Sequence, residues 1–332
     1  MGTWLERQWQ RVTPASVLLY PASVLFRTIV AVRRKAYSVS LLKSRRLPVP
    51  VVVVGNITVG GTGKTPLVLW LTSFLAEHGM RPGIVSRGYG ADARAPRAVT
   101  PASDLSRVAD EPLLLAQRSR CPVWIGADRF SAGAALIAAN PECDVIVSDD
   151  GLQHYALARE IEIALIDGAR GLGNGFMLPA GPLREPASRL REVDAVVIHA
   201  APRPLDKRKG AIGMKLEGRE FRNLLNPGHI VGPEHFQRRR VHAVAGIGNP
   251  ARFFAHLEAL GLTFEAHAFP DHHGYTPADL AYEGADAVLM TEKDAVKCTA
   301  FAHESHWALR VDAVPDPELG ELVLRKLRTL TR

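Results

Sequence analysis

The residues best suited to chemistry lie at 55–66, GNITVGGTGKTP, where an uninterrupted Val51–Val54 run turns through glycines into a helical pattern. A glycine-rich turn between strand and helix lets the backbone N–H groups of Thr58, Val59, Gly60, Gly61, Thr62 and Gly63 close around phosphate oxygens. The helix N-terminus adds its partial positive charge. Lys64 is placed to reach the β- and γ-phosphates and the Thr65 hydroxyl to hold Mg²⁺. The strict phosphate-loop pattern asks for Gly where Thr58 stands, but Gly60, Gly61 and Gly63 supply the flexibility. A guanine-reading [NT]-K-x-D signature is not matched, because Thr291-Glu292-Lys293-Asp294 carries its Lys one place too late. ATP is therefore the expected nucleotide, with GTP as its rival.

Transfer of a phosphoryl group further requires metal, counter-charge and a group to take the acceptor's proton. Three segments offer these. Asp149 and Asp150, in DDGLQH at 149–154, directly follow a VIVS run; carboxylates at the C-terminal end of a parallel strand stand beside a phosphate loop, where a second Mg²⁺ contact is expected. Asp-Asp-Gly is also ordinary turn chemistry. Asp110-Glu111-Pro112 precedes a helical run, and Asp110 there reads equally well as a helix cap. The third is FPDHHGYT at 269–276. Consecutive residues of an extended segment point opposite ways, so His272 and His273 are not expected to share a metal, and one of them can face a cleft as a base.

Short Val/Ile-rich runs at 51–54, 83–86, 123–125, 145–148, 163–166 and 195–198 lack polar alternation, as strands buried on both faces do. Helical stretches at Leu67–His78, Pro112–Arg120, Arg129–Asn140 and Pro186–Val193 supply crossovers between them. The expected fold class is α/β: a P-loop NTPase-like parallel sheet covered by helices over 47–200. A Pro-, Gly- and Lys/Arg-rich linker or hairpin follows at 201–240, with a weak strand signal near Ala211–Leu216. A smaller C-terminal α/β portion over 241–332 completes the active-site cleft.

Charge is distributed unevenly. Residues 1–46 hold nine Lys/Arg against one acid, Glu6, so the formal +7 of the 332-residue chain resides in this arm and the body is close to neutral. No nucleic-acid partner is indicated by such a body, and no obligate protein partner is evident. Within the arm, Val12–Phe26 is uncharged but interrupted by Pro14 and Pro21, and Arg27 ends it short of the roughly 20 apolar residues that span a bilayer. With Trp4, Trp9 and Tyr20 beside arginines, it reads as an N-terminal membrane-surface helix. Three cysteines without a Cys-x-x-Cys pair indicate neither disulfide framework nor zinc knuckle and fit a reducing compartment.

Taken together, GNITVGGTGKTP, SRGYG at 86–90, DEP at 110–112, DDGLQH, GPLRE at 181–185, FPDHH at 269–273 and TEKDAVK at 291–297 resemble, in order, the tetraacyldisaccharide 4′-kinase family of Gram-negative bacteria. The resemblance implies transfer of the ATP γ-phosphate to the 4′-hydroxyl of a tetraacylated glucosamine disaccharide 1-phosphate, a glycolipid substrate, at the cytoplasmic face of the inner membrane. It implies that Asp110 and His272 form the base couple, that Glu111, Asp149 and Asp150 are acids around metal and phosphates, and that Arg184 is a cation near the transferring group. The family often has Asn-Gly after the 195–198 strand, where this chain has His199-Ala200, which puts any backbone or amide contact from that turn in doubt. One rival reading, a membrane-associated P-loop ATPase switch, has no need of a His-bearing segment far along the chain; another, a nucleic-acid ATPase, is motivated only by the high pI.

Overall fold

The structure, a computed structural model, describes residues 8–88, 95–200 and 210–330. It divides into two compact units, one of residues 3–216 with 313–332, the other of 217–312.

The first unit is built on a nine-stranded sheet: β1 (Val51–Gly55), β2 (Pro82–Ser86), β3 (Arg97–Val99), β4 (Val123–Ile125), β5 (Val145–Asp149), β6 (Ile161–Asp167), β7 (Ala195–His199), β8 (Ala211–Glu217) and β15 (Asp312–Pro315). Their order is β15-β8-β7-β6-β1-β5-β2-β4-β3. Strands β8 to β4 run parallel to their neighbours, and only the β3–β4 pair is antiparallel among the pairs that close that edge. Val51, Val52, Val53 and Val54 are all buried, which is why β1 shows no polar alternation: helices cover both faces. Leu67, Leu71 and Leu75 of the helix Lys64–Glu77 supply one buried stripe. The closing helix Glu318–Leu330 buries Leu319, Val323 and Leu327, and a Cβ at Gly320 would stand 2.5 Å from Phe74, so glycine permits this close approach.

The second unit carries a six-stranded sheet, β10-β9-β14-β13-β11-β12. Its strands are β9 (Phe221–Asn223), β10 (Ile230–Val231), β11 (Val241–Ala245), β12 (Glu265–Ala268), β13 (Ala287–Thr291) and β14 (His306–Leu309). Strands β12, β11, β13 and β14 are parallel, with β9 and β10 antiparallel at one edge. Phe221, Phe236 and Trp307 form an edge-on aromatic cluster in its core.

Two expectations about organisation differ from what is seen. Within the 201–240 stretch, expected as a linker or hairpin with a weak strand near 211–216, Ala211–Glu217 is a strand of the large sheet and the antiparallel pair Phe221–Asn223 and Ile230–Val231 belongs to the second. The C-terminal portion is also divided, because residues from Ala313 onward return to the first unit. Secondly, the N-terminal helix is longer than the apolar run suggested. Helix Pro14–Leu18 is followed by Tyr20–Ser38, and the 25 residues Pro14–Ser38 are long and apolar enough to cross a membrane by length and composition, with a mean hydropathy of 1.7 in their best window. Pro21 does not stop it, since it lies in the first turn of the second helix, where a missing N–H is tolerated.

Candidate active site

The loop after β1 winds down onto the helix Lys64–Glu77 through Gly60 (φ +99°) and Gly63 (φ +93°), conformations that a Cβ makes costly. Gly63 is the residue before the first helical turn, so the loop's amides and the helix N-terminus face the same volume. Register places the ends of neighbouring strands beside it: Val54 pairs with Asp149 across β1 and β5, and β2 ends at Ser86. The carboxyl edge of a parallel sheet, where strand order reverses around β1, is where such folds hold ligands.

Charges converge on Asp150. Arg184 donates from Nη1 to one carboxylate oxygen (3.1 Å) and from Nη2 to the other (3.2 Å), while its Nε donates to the Thr58 carbonyl (3.1 Å). Lys64 Nζ stands 3.5 Å from Asp150 Oδ1 and donates to Asn56 Oδ1 at 3.3 Å. These cations hold the Asp150 carboxyl well below the usual carboxylate range, against the opposing effect of its burial. Asp150 adopts φ +47°, and the buried Arg129 donates to its carbonyl (3.2 Å), which offsets some of that cost.

Asp149 differs although it is adjacent. It is buried, accepts one hydrogen bond from Ser86 Oγ (3.0 Å), and its Oδ1 has no hydrogen-bond partner among the described residues. Burial first, then the negative charges of Glu111 and Asp150, push its carboxyl up to about 7. The Thr62 hydroxyl is likewise buried without a partner among the described residues. Thr62 Oγ1 and Asp149 Oδ1 are hard oxygens without a protein partner among the described residues, the donor type that Mg²⁺ takes.

Asp110 is buried and begins the helix Asp110–Arg118. It is not the cap: Ala109 occupies that position at φ +67°, and Asp110 Oδ1 accepts the N–H of Glu111 (2.9 Å). Lys64, Thr65, Asp110, Glu111, Asp149, Asp150 and Arg184 are thus all carried by the first unit, whereas His272 belongs to the second. There His272 has φ +59°, its side chain is 40% exposed, and its Nε2 lies 3.9 Å from Asp271 Oδ2. His273 is the inward one of the two, stacked on Phe269 and 3.4 Å from Asp279. The TEKD segment is structural: Asp294 is fully buried, accepts from Thr291 Oγ1 and the Gly246 N–H, and pairs with Lys297 at 2.8 Å. Of SRGYG, Tyr89 and Gly90 lie outside the described residues.

Several contributors carried no local signal. Asn56 touches both Lys64 and Arg184, and Gln153 donates to the Asn56 carbonyl and to the buried Glu185. Glu185 also accepts from Tyr155 and faces Arg189 at 3.8 Å, which anchors the GPLRE turn behind Arg184.

A phosphate loop backed by buried carboxylates and two cations defines a P-loop phosphotransferase, a kinase driven by ATP. The model of the tetraacyldisaccharide-1-P 4′-kinase family matches residues 15–328. A tetraacyldisaccharide 4′-kinase from Methylobacillus flagellatus is 50% identical over 98% of this chain and 96% of its own, and one from Aromatoleum aromaticum is 51% identical over 96% of each. The crystal structure of LpxK from Aquifex aeolicus in complex with ATP superposes with a TM-score of 0.79 at 30% identity, covering 94% of this chain and 99% of that one. The chain belongs to the tetraacyldisaccharide-1-P 4′-kinase family.

Proposed function

We propose that this kinase moves the γ-phosphoryl group of ATP to the 4′-hydroxyl of a tetraacylated glucosamine disaccharide 1-phosphate, in lipid A biosynthesis, using the constellation around Asp150 and working at a membrane surface. The observation that carries the reading is the convergence of Lys64 and Arg184 on Asp150 beneath a glycine loop, in a chain of this family.

The loop from Thr58 to Gly63 binds the phosphates through its amides. Lys64 and Arg184, already charged and directed, exchange the Asp150 carboxylate for phosphate oxygens as these arrive, so little reorganisation accompanies the development of charge. Thr65 and Asp149 are the residues that would hold Mg²⁺, with Glu111 and Asp150 completing the acidic surround. When bound, the ion would supply charge neutralisation for the transferring phosphoryl group. The family resemblance assigns Asp110 and His272 to the proton of the sugar hydroxyl, a poor nucleophile until that proton has somewhere to go.

The N-terminal helix supports the membrane side of the reading because its polarity is inverted. Ser16 and Ser23 are buried, with Ser23 Oγ donating to the Met177 carbonyl, while Val17, Leu18, Val24, Leu25, Ile29 and Val32 are exposed. An apolar face turned outward beside Arg27 and Arg33 fits seating in lipid on the cytoplasmic side, where ATP is found, with the acceptor's acyl chains remaining in the bilayer.

Incubating the purified protein with γ-labelled ATP and disaccharide 1-phosphate in mixed micelles should place label on the 4′-oxygen. Label released only as inorganic phosphate would overturn the reading in favour of an ATPase switch.

A further inference from the structure

At the β12 edge of the second unit, two histidines and a glutamate on β11 and β12 point at one another. His242 Nδ1 and His267 Nε2 are 3.0 Å apart, Glu265 Oε2 lies 3.9 Å from the first nitrogen and Glu265 Oε1 3.8 Å from the second. Strand register causes this: His242 pairs directly with Glu265 on the parallel neighbour, and His267, two residues on, shares its face. Tyr282 stacks on both imidazoles, with centroids 4.3 Å from His242 and 4.2 Å from His267, and closes one side of the cluster.

We propose that His242, His267 and Glu265 form a binding site for a divalent first-row transition ion, distinct from the nucleotide site. Two nitrogens that meet at 3.0 Å, each about 2.0–2.1 Å from a shared ion, subtend about 90–100° there. That is nearer the tetragonal angle favoured by Cu²⁺ and Ni²⁺ than the tetrahedral angle of Zn²⁺. His242 is buried and its Nε2 has no hydrogen-bond partner among the described residues, so this ring directs its polar contacts through Nδ1, into the cluster. Glu265 is 70% exposed, so its carboxylate can swing to complete the set and water can fill the remaining positions. Without an ion, one of the two facing nitrogens must carry the proton between them; with an ion, both lone pairs are used. The β12 chain reaches Asp271 and His272 within five residues of His267, so an ion here would pin the strand that leads into that segment.

The test uses untagged full-length protein, freed of metal with EDTA and held in excess Mg²⁺ so that carboxylate-only sites are filled, titrated with Cu²⁺ and Ni²⁺. Calorimetry should give one saturable equivalent, and the Cu²⁺ electron paramagnetic resonance spectrum should show coupling to two nitrogens. His267→Ala should abolish that two-nitrogen signature, and the solvent-facing change Glu265→Gln should weaken binding by ~10-fold or more. Folding of each variant is checked by circular dichroism and thermal melting of the whole chain, which report on both units. Absence of a saturable equivalent in the wild-type protein, or an unchanged spectrum and affinity in folded His267→Ala, would overturn the proposal. Neither readout depends on turnover, so this outcome is independent of the kinase reading.

Discussion

Around Asp150, Lys64 and Arg184 are already in place on a carboxylate, with the arginine fixed at a second point by the Thr58 carbonyl. His272, carried by the other unit, keeps 40% of its side chain exposed on a left-handed turn. On the proposed function, the nucleotide end is organised by the fold itself, through half-buried charges that already pair. On the same reading, the acceptor end is instead served by a half-exposed imidazole beside Asp271. For a soluble nucleotide and a lipid-borne sugar this division is physically sensible: phosphate geometry is invariant and rewards preorganisation, whereas a headgroup held by a bilayer approaches from outside.

The difference can be probed hardest at Lys64. Lys64→Ala should lower kcat/KM by about 10³-fold or more in the labelled-phosphate assay. Asp150, losing one of its two cations, should also become easier to protonate. Activity within tenfold of wild type would show that the loop does not carry the transfer. His272→Ala should cost about 10²-fold in kcat while leaving ATP affinity unchanged, the split expected of a group that acts only on the acceptor. An equal loss of ATP affinity would move His272 to the nucleotide end and erase the contrast. Arg184→Lys should cost about 10-fold, because a lysine cannot reproduce the fork across both Asp150 oxygens together with the Thr58 contact. A rate equal to wild type would mean that charge alone, not the planar fork, is what that position provides.

How much of this was legible beforehand follows from where the physics is local. Strands such as Val51–Val54 and Val145–Ser148 are buried on both faces, and burial of that kind writes itself into the chain as unbroken Val and Ile. The phosphate loop announces itself because positive φ at Gly60 and Gly63 demands glycine. Arg129 gave no signal because its role arises from Asp150, 21 positions away, which only the fold brings near. Strand β8 showed only weakly near Ala211–Leu216, because Pro, Gly and basic residues precede it. Strand β15 is short and pairs in a sheet begun more than 250 residues earlier, so nothing in its neighbourhood could foretell its return. The N-terminal helix outruns its uncharged stretch because Arg27 interrupts an apolar run that resumes at Ile29 and continues on the same face to Val32.

The smallest effect concerns stability rather than turnover, and it separates the units by a histidine in the second one. His306 is buried in β14, its Nδ1 accepts the His303 N–H, and burial, with the nearby His303, lowers its imidazole from 6.5 to about 4. The folded state therefore prefers the neutral ring, and the unfolded state binds more protons between those two values. Stability from this group is complete above pH 6.5 and is lost progressively as pH falls from 6.5 towards 4. Between pH 7 and pH 5 the loss is about 2 kcal/mol, enough to move a melting transition by several degrees. His306→Gln, which cannot take up a proton, should melt lower than wild type at pH 7 but show a visibly shallower decline towards pH 5, measured by calorimetry across that range. Parallel declines in the two proteins would mean that His306 is protonated as readily when folded as when unfolded, and that the acid sensitivity of the second unit has another origin.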